Sequence, residues 1–296
     1  MDIVVFGAGS LGSLVGGLLA REHPVTLVGR DPHVSAVREG GLRVVGAVET
    51  EGSPAAATEL PDAAFDLAVV AVKSRDTAAA ARALADGEVS AVLSLQNGLG
   101  NEATLAASLS CPVLAGTCTY GARLAEPGRV ECTGVGEVAL GAREGGTDPV
   151  ADEVGAAFRE AGVETTVASD MPRRLWEKVA VNAGINAVTA LARVENGALV
   201  DGPASETARE AAREAARAAR QQGVALSDAA AADAVTRVAG TTAANASSMY
   251  QDVRAERPTE VDAINGAVVD HTEGEAPVNR TLAALVRAWE RERGLR

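Results

Sequence analysis

The first thirty residues alternate between apolar runs and a turn that contains three glycines. The run DIVVF leads into Gly7, Gly9 and Gly12, the segment LVGGLLARE follows, and VTLVGR forms a second apolar run. Short apolar runs bounded by glycine predict buried strands, and the longer segment between them predicts a connecting helix. The pattern is therefore strand, glycine turn, helix, strand.

The same arrangement continues toward residue 169. FDLAVVAVKS and AVLSLQNGLG predict two more buried strands, with an alanine-rich helix from about Thr77 to Ala85 between them. PVLAGTCTYGARL, GRVECTG and EVALGA predict further strands, and a helix from about Asp148 to Ala161 precedes the strand VETTVAS. Alternating strands and helices predict a Rossmann-type dinucleotide-binding domain over residues 1–169.

After Pro172 the hydrophobic period is that of helices. ASETAREAAREAARAARQQG predicts a long helix whose charged residues form a solvated face, and SDAAAADAVTRVAG predicts a second helix. The segment from Thr241 to Asp252 would place Asn245, Ser248 and Asp252 on one helical face, at spacings of three and four. RPTEVDAINGAVV predicts a helix that begins at Pro258 or Thr259. We predict an α/β protein in which residues 170–296 form an all-helical second domain.

One helix, predicted over residues 172–196, has a polar stripe. Lys178, Asn182 and Asn186 are four residues apart and therefore share one face. Asparagine forms helices poorly, and an exposed stripe in this chain would consist of Glu, Asp and Arg. Lys73 and Lys178 are the only lysines among 27 basic residues, and a lysine ammonium, unlike a guanidinium, can give up its proton. The stripe is predicted to point into a binding site.

The glycine turn predicts a nucleotide site, because GxGxxG here follows a strand and opens a helix. Its backbone, from Gly7 through Ala8, Gly9, Ser10 and Leu11 to Gly12, would approach a pyrophosphate at the helix N-terminus.

The end of the second strand is where the adenine ribose of such a cofactor is recognised. Arg30 at this position favours the 2′-phosphate of NADP, whereas the adjacent Asp31 keeps NAD open.

Two strand ends and one helix start supply further candidates. Lys73 ends a strand, so it should lie toward the cofactor. Asn97 follows the next strand, and it could either cap a helix that begins near Asn101 or contact cofactor or substrate. Glu260, taken alone, is expected to be an acidic residue in the first turn of a helix.

Composition limits the classes of partner. A formal charge of −13 argues against nucleic acid and anionic membranes, and no apolar run approaches 20 residues. Scarce lysine and dispersed acids are typical of a halophilic composition, suited to a salty cytoplasm. The three cysteines lack metal-site spacing, which fits reduced thiols in a cytoplasmic protein without a metal.

Several stretches together resemble the ketopantoate reductase (2-dehydropantoate 2-reductase) family, in its order and over nearly the whole chain. They are FGAGSLG, VKS, LQNGLG, GTCTYGA with PGRV, RRLWEKVAVNAGINAVTAL, NASSMYQD and RPTEVDAING. The resemblance implies an NADPH-dependent enzyme that reduces a small keto acid, ketopantoate, to (R)-pantoate in pantothenate and coenzyme A biosynthesis.

The resemblance also implies roles for single residues. Lys178 matches the catalytic lysine, and Glu260 the acid that assists binding and catalysis, which revises its reading as a helix-start acid. Asn97 would lie by the nicotinamide ribose and the substrate, with Glu260 also near the cofactor. The polar substrate lining would be Asn182, Asn186, Asn196, Asn245 and Ser248, and Arg30 and Lys73 would lie near the phosphorylated ribose side.

The sequence leaves the cofactor, the substrate and the oligomeric state open. Asp31 leaves NADH as an alternative cofactor, and Cys132 stands where many relatives have a histidine. A related dehydrogenase acting on another 2-keto or 3-hydroxy acid, or an NADP(H) sensor without turnover, would share this framework. A homodimer is compatible with the sequence.

Overall fold

The computed structural model describes residues 1–296, which divide into two compact units. The first comprises Met1–Gln96 and Gly100–Met171, and the second comprises Asn97–Leu99 and Pro172–Arg296. The first unit is a mostly parallel sheet with helices, and the second is helical, so the predicted fold class is confirmed. Asn97, which the sequence placed at a strand end of the first unit, packs with the second.

The first unit contains an eight-stranded sheet in the order β12-β11-β8-β7-β6-β1-β2-β5. Only the β8 and β11 pair within it is antiparallel. Its strands are β1 Ile3–Phe6, β2 Val25–Val28, β5 Ala55–Ala57, β6 Ala64–Val70, β7 Glu88–Ser94, β8 Val113–Cys118, β11 Val138–Ala142 and β12 Thr165–Val167. The helices of this unit are α1 Ser10–Leu19, α2 His33–Gly40, α3 Thr77–Ala85, α4 Asn101–Ala106 and α5 Pro149–Glu160.

A second, four-stranded sheet was not expected from the sequence. Its order is β4-β3-β10-β9, with strands β3 Leu42–Gly46, β4 Thr50–Gly52, β9 Gly121–Glu126 and β10 Arg129–Gly134. The stretch PVLAGTCTYGARL is therefore two strands, β8 and β9, which belong to different sheets. Cys132 lies in β10, is buried among apolar side chains, and its thiol donates to the Gly134 carbonyl at 3.5 Å.

The second unit is built on a long helix, α6 Met171–Ala192. The other helices are α7 Ser205–Gln221, α8 Asp228–Thr241, α9 Ser248–Arg254, α10 Ala267–Asp270 and α11 Pro277–Glu292, and the segment Asp262–Gly266 before α10 has π-helical bonding. Alanines on α7 are fully buried, and a Cβ at Gly184 would lie 2.6 Å from the Ala208 carbonyl oxygen. Small residues therefore let α6 and α7 approach closely. No helix in the structure is both long enough and apolar enough to cross a bilayer.

Three predictions for the second unit were wrong in detail. Asn245 is outside any helix, because α8 ends at Thr241 and α9 begins at Ser248. The helical segment after Glu260 begins at Asp262 rather than at Pro258 or Thr259, so Glu260 precedes it. The charged face of α7 is only partly solvated, since Glu214 is buried.

His33 joins three parts of the first unit. Its Nδ1 accepts a hydrogen bond from the Gly128 amide at 3.0 Å, which leaves the Nε2 proton to be donated to Ser13 Oγ at 2.9 Å. Burial lowers the pKa of the His33 imidazole. The folded protein therefore holds this ring neutral where an unfolded chain, with a histidine pKa near 6.5, begins to bind a proton.

This coupling predicts acid destabilisation of the fold. As pH falls below about 6.5, the His33 imidazole binds a proton in the unfolded state but not in the folded state. The free energy of unfolding therefore decreases by up to about 1.4 kcal/mol per pH unit, until the pH reaches the lowered pKa of His33 in the folded protein. Urea denaturation at several pH values, in high salt, should show a smaller decrease in His33→Gln than in the parent. Equal slopes in the two proteins would contradict this assignment.

Candidate active site

The glycine turn after β1 has the geometry that a dinucleotide requires. Gly7 has φ +114°, and a Cβ there would lie 2.6 Å from the Val72 amide nitrogen. A Cβ at Gly12 would lie 2.1 Å from the Gly7 carbonyl oxygen, so helix and turn pack too closely for a side chain. Gly9, at the N-terminal boundary of α1, has open space where its Cβ would be, which leaves the backbone accessible to a phosphate.

The residues within this turn make distinct contacts. Ala8 is buried against Gly29, where a Cβ would lie 2.7 Å from the Ala8 methyl carbon. Ser10 Oγ accepts a hydrogen bond from the Leu124 amide at 3.0 Å, which ties the start of α1 to β9. Leu11 packs against the core of the first unit. These contacts hold the turn in place and leave the Cβ position of Gly9 open.

Arg30 and Asp31 follow β2 but differ in their surroundings. The Arg30 side chain is 85% exposed and lies 3.7 Å from the Asp76 carboxylate. Asp31 Oδ1 accepts hydrogen bonds from the Ser35 amide at 3.1 Å and from Ser35 Oγ at 2.6 Å. These bonds lower the pKa of the Asp31 carboxyl. One carboxylate oxygen of Asp31 is thus engaged by the first turn of α2, whereas the Arg30 guanidinium is open to an anion.

Lys73 is half-buried and lies three residues after β6, which ends at Val70 rather than at Lys73 as the sequence predicts. The Gln96 amide nitrogen donates to the Val72 carbonyl at 3.0 Å and to Thr77 Oγ1 at 2.7 Å, and thereby fixes the backbone beside Lys73. Thr77 Oγ1 also pairs with Asn101 Oδ1 at 2.9 Å. Gln96 is not among the site residues predicted from the sequence. Its position at a strand end was the available signal, since polar residues there lie near ligands.

The polar stripe of α6 is not a solvated face. Lys178 and Asn182 are half-buried, and Asn186 is buried with 5% of its surface exposed. Exposed residues of α6, such as Arg173, which pairs with Glu177 at 2.9 Å, lie off this stripe. The helix therefore partly buries Lys178 and Asn182 and buries Asn186 along a single face.

Asn97 contacts Glu260 rather than a helix end. Its amide nitrogen donates to Glu260 Oε2 at 3.2 Å, although 163 residues separate the two in sequence. The residue at the N-terminal boundary of α4 is Gly100, so Asn97 is not the N-cap of that helix, which was one of the two roles predicted for it. Glu260 is 7% exposed, so this residue is buried and is not a solvated acid in the first turn of a helix.

The remaining predicted lining residues lie around the segment that joins α8 to α9. Asn196 is buried; its amide nitrogen donates to Thr242 Oγ1 at 2.8 Å and its backbone amide to the Asn245 carbonyl at 3.0 Å. Asn245 and Ser248 are exposed. The neighbouring Ser247, rather than Ser248, caps α9 by accepting from the Tyr250 amide at 3.1 Å. Asn196 therefore holds the segment between α8 and α9 in place, and the side chains of Asn245 and Ser248 there are exposed to solvent.

Comparison with known families agrees with this geometry. The family model described as "Ketopantoate reductase PanE/ApbA" matches residues 3–145, and the model "Ketopantoate reductase PanE/ApbA C terminal" matches residues 170–290. The chain is 48% identical to a 2-dehydropantoate 2-reductase of Halobacterium salinarum, over 99% of this chain and 100% of the relative. It is 39% identical to one of Archaeoglobus fulgidus, with 97% of each chain covered.

Solved structures share the fold. A PanE/ApbA family ketopantoate reductase from Ralstonia eutropha JMP134 is 32% identical, with a TM-score of 0.89 and coverage of 99% of this chain and 100% of that one. The ternary structure of D-mandelate dehydrogenase with NADH and anilino(oxo)acetate has a TM-score of 0.93 at 24% identity, with both chains fully covered, and at that identity it shows the fold alone. On the two family models and the full-length relatives, the chain belongs to the ketopantoate reductase family.

Proposed function

We propose that the chain reduces 2-dehydropantoate to (R)-pantoate with NADPH, with Lys178 as the proton donor. Full-length similarity to 2-dehydropantoate 2-reductases supports the reaction. The observation that supports the chemistry is that Lys178, a half-buried residue, shares one helix face with Asn182 and Asn186. Because the chain has a net charge of −13 and only two lysines, we place this step of pantothenate and coenzyme A biosynthesis in a salt-rich cytoplasm.

The first unit fits a dinucleotide. The open position at Gly9 would admit the pyrophosphate to the N-terminus of α1, where free amides and the helix dipole favour negative charge. Arg30 would pair with the 2′-phosphate of NADPH, and Lys73 would lie near the same phosphorylated ribose. Because Asp31 already accepts two hydrogen bonds from Ser35, its carboxylate is less available to the ribose hydroxyls of NADH. We therefore favour NADPH over NADH.

In the reduction, NADPH supplies a hydride to the keto carbon of the substrate. Negative charge then develops on the carbonyl oxygen, where the Lys178 ammonium would stabilise it and donate the proton that completes the alcohol. The amides of Asn182 and Asn186 would orient the carboxylate and hydroxyl of the substrate without adding a formal charge. Glu260, held by the Asn97 amide, would accept a hydrogen bond from the substrate or the cofactor ribose.

The direct test is nicotinamide oxidation by the purified chain, followed by absorbance in high salt, with ketopantoate and either NADPH or NADH. We expect turnover with ketopantoate. A panel of other 2-keto acids tests the alternative of a related dehydrogenase, which would show a higher kcat/KM for a different acid. Cofactor binding without turnover of any acid would indicate a sensor and would overturn the proposal.

Arg30→Ala should change cofactor preference. A charge-assisted hydrogen bond contributes roughly 1.5–3 kcal/mol, so we expect kcat/KM for NADPH to fall by about 10- to 100-fold while kcat/KM for NADH stays near that of the parent. Arg82→Ala, which removes another exposed arginine of the same unit, is the matched control and should alter neither value. An equal fall with both cofactors would argue against recognition of the 2′-phosphate by Arg30.

A further inference from the structure

The π-helical segment Asp262–Gly266 is a meeting point for three parts of the second unit. Its widened turn is closed by the Gly266 amide, which donates to the Val261 carbonyl at 2.8 Å. Single π-helical turns of this kind are frequently found at functional sites. Here Ala263 contacts the loop 97–99, Ile264 bonds back to Glu260, and Asn265 contacts α6 and α11.

Ala263 and Ile264 hold the two residues of the Asn97–Glu260 pair. The Leu99 amide donates to the Ala263 carbonyl at 3.1 Å, and a Cβ at Gly98 would lie 2.5 Å from that carbonyl oxygen, so the loop 97–99 lies directly against the segment. The Ile264 amide donates to the Glu260 carbonyl at 3.1 Å. The positions of both partners in this pair therefore depend on where the π segment lies.

Asn265 anchors the segment to α6. Its side chain is fully buried, and its amide nitrogen donates to the Ala183 carbonyl at 3.1 Å and to Asn279 Oδ1 at 2.9 Å. Ala183 is the residue after Asn182, so this contact is made beside the polar stripe that includes Lys178. A single amide group thus links the helix of the proposed proton donor to the segment that positions Glu260.

Glu214 completes this anchor from α7. Its carboxylate is 1% exposed and accepts hydrogen bonds from the amides of Val278 and Asn279 at 2.9 and 2.8 Å, and from the Asn279 side chain at 2.7 Å. Asn279 also donates to the Ala211 carbonyl at 2.9 Å. These bonds fix the orientation of the Asn279 amide, which therefore presents its oxygen, an acceptor, to Asn265.

We propose that Asn265 is a positioning residue for the reduction, supported by Glu214 through Asn279. The Glu214 carboxylate and the amides of Asn265 and Asn279 are buried, which is costly even with the hydrogen bonds above, and the Asn265 side-chain oxygen has no hydrogen-bond partner in the protein. An apolar core would pack these helices without that cost. The chain of bonds instead sets the placement of Glu260 and Asn97 relative to the α6 stripe. A displacement of a reacting group by about 1 Å can cost on the order of 100-fold in rate, which makes this placement a kinetic requirement.

The substitution Asn265→Leu removes both donated hydrogen bonds at nearly constant volume. Because the inference rests on the proposed function, hydrogen exchange is measured beside turnover. We expect faster exchange at the amides of Leu99 and Ile264, with unchanged exchange in β1 and β2, and a fall of about 10- to 100-fold in kcat/KM for ketopantoate at an unchanged Kd for NADPH. Unaltered exchange at both amides would overturn the positioning role even if the parent enzyme failed to reduce ketopantoate.

A double-mutant cycle with Glu260→Gln separates positioning from general destabilisation. If Asn265 acts through Glu260, the two losses in kcat/KM should combine to less than their product, whereas independent effects would multiply and would contradict the proposal. Ser227→Ala, which removes the cap of α8 in the same unit, is the control; it should lower Tm without changing kcat/KM. If Asn265→Leu does not fold, Glu214→Gln is the second test, because it keeps the side-chain shape but loses a hydrogen-bond acceptor. A lower Tm with unchanged kcat/KM and unchanged hydrogen exchange in that variant would contradict the support of Asn265 by Glu214.

Discussion

Lys178→Ala is expected to lower kcat for ketopantoate reduction by roughly 10²- to 10⁴-fold, the range for loss of a general acid. The substitution removes the ammonium that would neutralise the developing oxyanion and supply its proton, while the glycine turn and Arg30, which would hold NADPH, belong to the other unit of the chain. The Kd for NADPH, measured by fluorescence titration, should therefore match that of the parent. Steady-state kcat at saturating NADPH and ketopantoate is the measurement that checks the loss.

Two variants on the same helix sharpen this result. Lys178→Arg keeps a positive charge but not a proton that can be given up, so we expect substrate binding to persist while kcat stays low. Glu177→Gln alters only the surface pair with Arg173, and pairs of this kind contribute about 0–1 kcal/mol, so it should behave as the parent does. Near-normal turnover by Lys178→Ala would remove this residue from the mechanism.

The main sheet could be predicted because its longer strands contain short apolar runs, such as Leu67–Val70 in β6 and Ala91–Leu93 in β7. The glycine turn after β1 marks where strands and helices begin to alternate. The four-stranded sheet could not be predicted. Its β4 has three residues and a half-exposed pattern, which is too short to show a period of two. Nor does the sequence show that β3 pairs with β10, because this pairing joins strands more than 80 residues apart.

The α6 stripe was accessible from the sequence because it depends on local spacing alone. The Asn97–Glu260 contact was not, since only the tertiary fold brings the two side chains within 3.2 Å. The spacing of three and four residues from Asn245 to Ser248 and Asp252 predicts one helical face, but Ser247 caps α9 and sets its start after Asn245. Glu214 could have been recognised: it lies three residues after Ala211 and four before Ala218, both fully buried on the same helix.

Glu260→Ala should lower kcat/KM for ketopantoate by about 10- to 100-fold, because a hydrogen bond to a charged group contributes roughly 1.5–3 kcal/mol and the Asn97 amide would also lose its acceptor. Glu260→Gln retains an amide oxygen that can accept from Asn97, so it separates the charge from the hydrogen bond. If the carboxylate acts on substrate or cofactor, Gln should recover only part of the loss; full recovery would indicate that Glu260 serves to hold Asn97.

The matched control is Glu256→Gln, four residues earlier, where the side chain is 75% exposed and lies 3.8 Å from Arg293. This variant changes the net charge by the same amount but touches neither Asn97 nor the π segment, so its kcat/KM should equal that of the parent. Steady-state rates with ketopantoate varied at saturating NADPH distinguish these outcomes. An unchanged kcat/KM in Glu260→Ala would mean that this buried carboxylate stabilises the start of the helical segment and takes no part in the reduction.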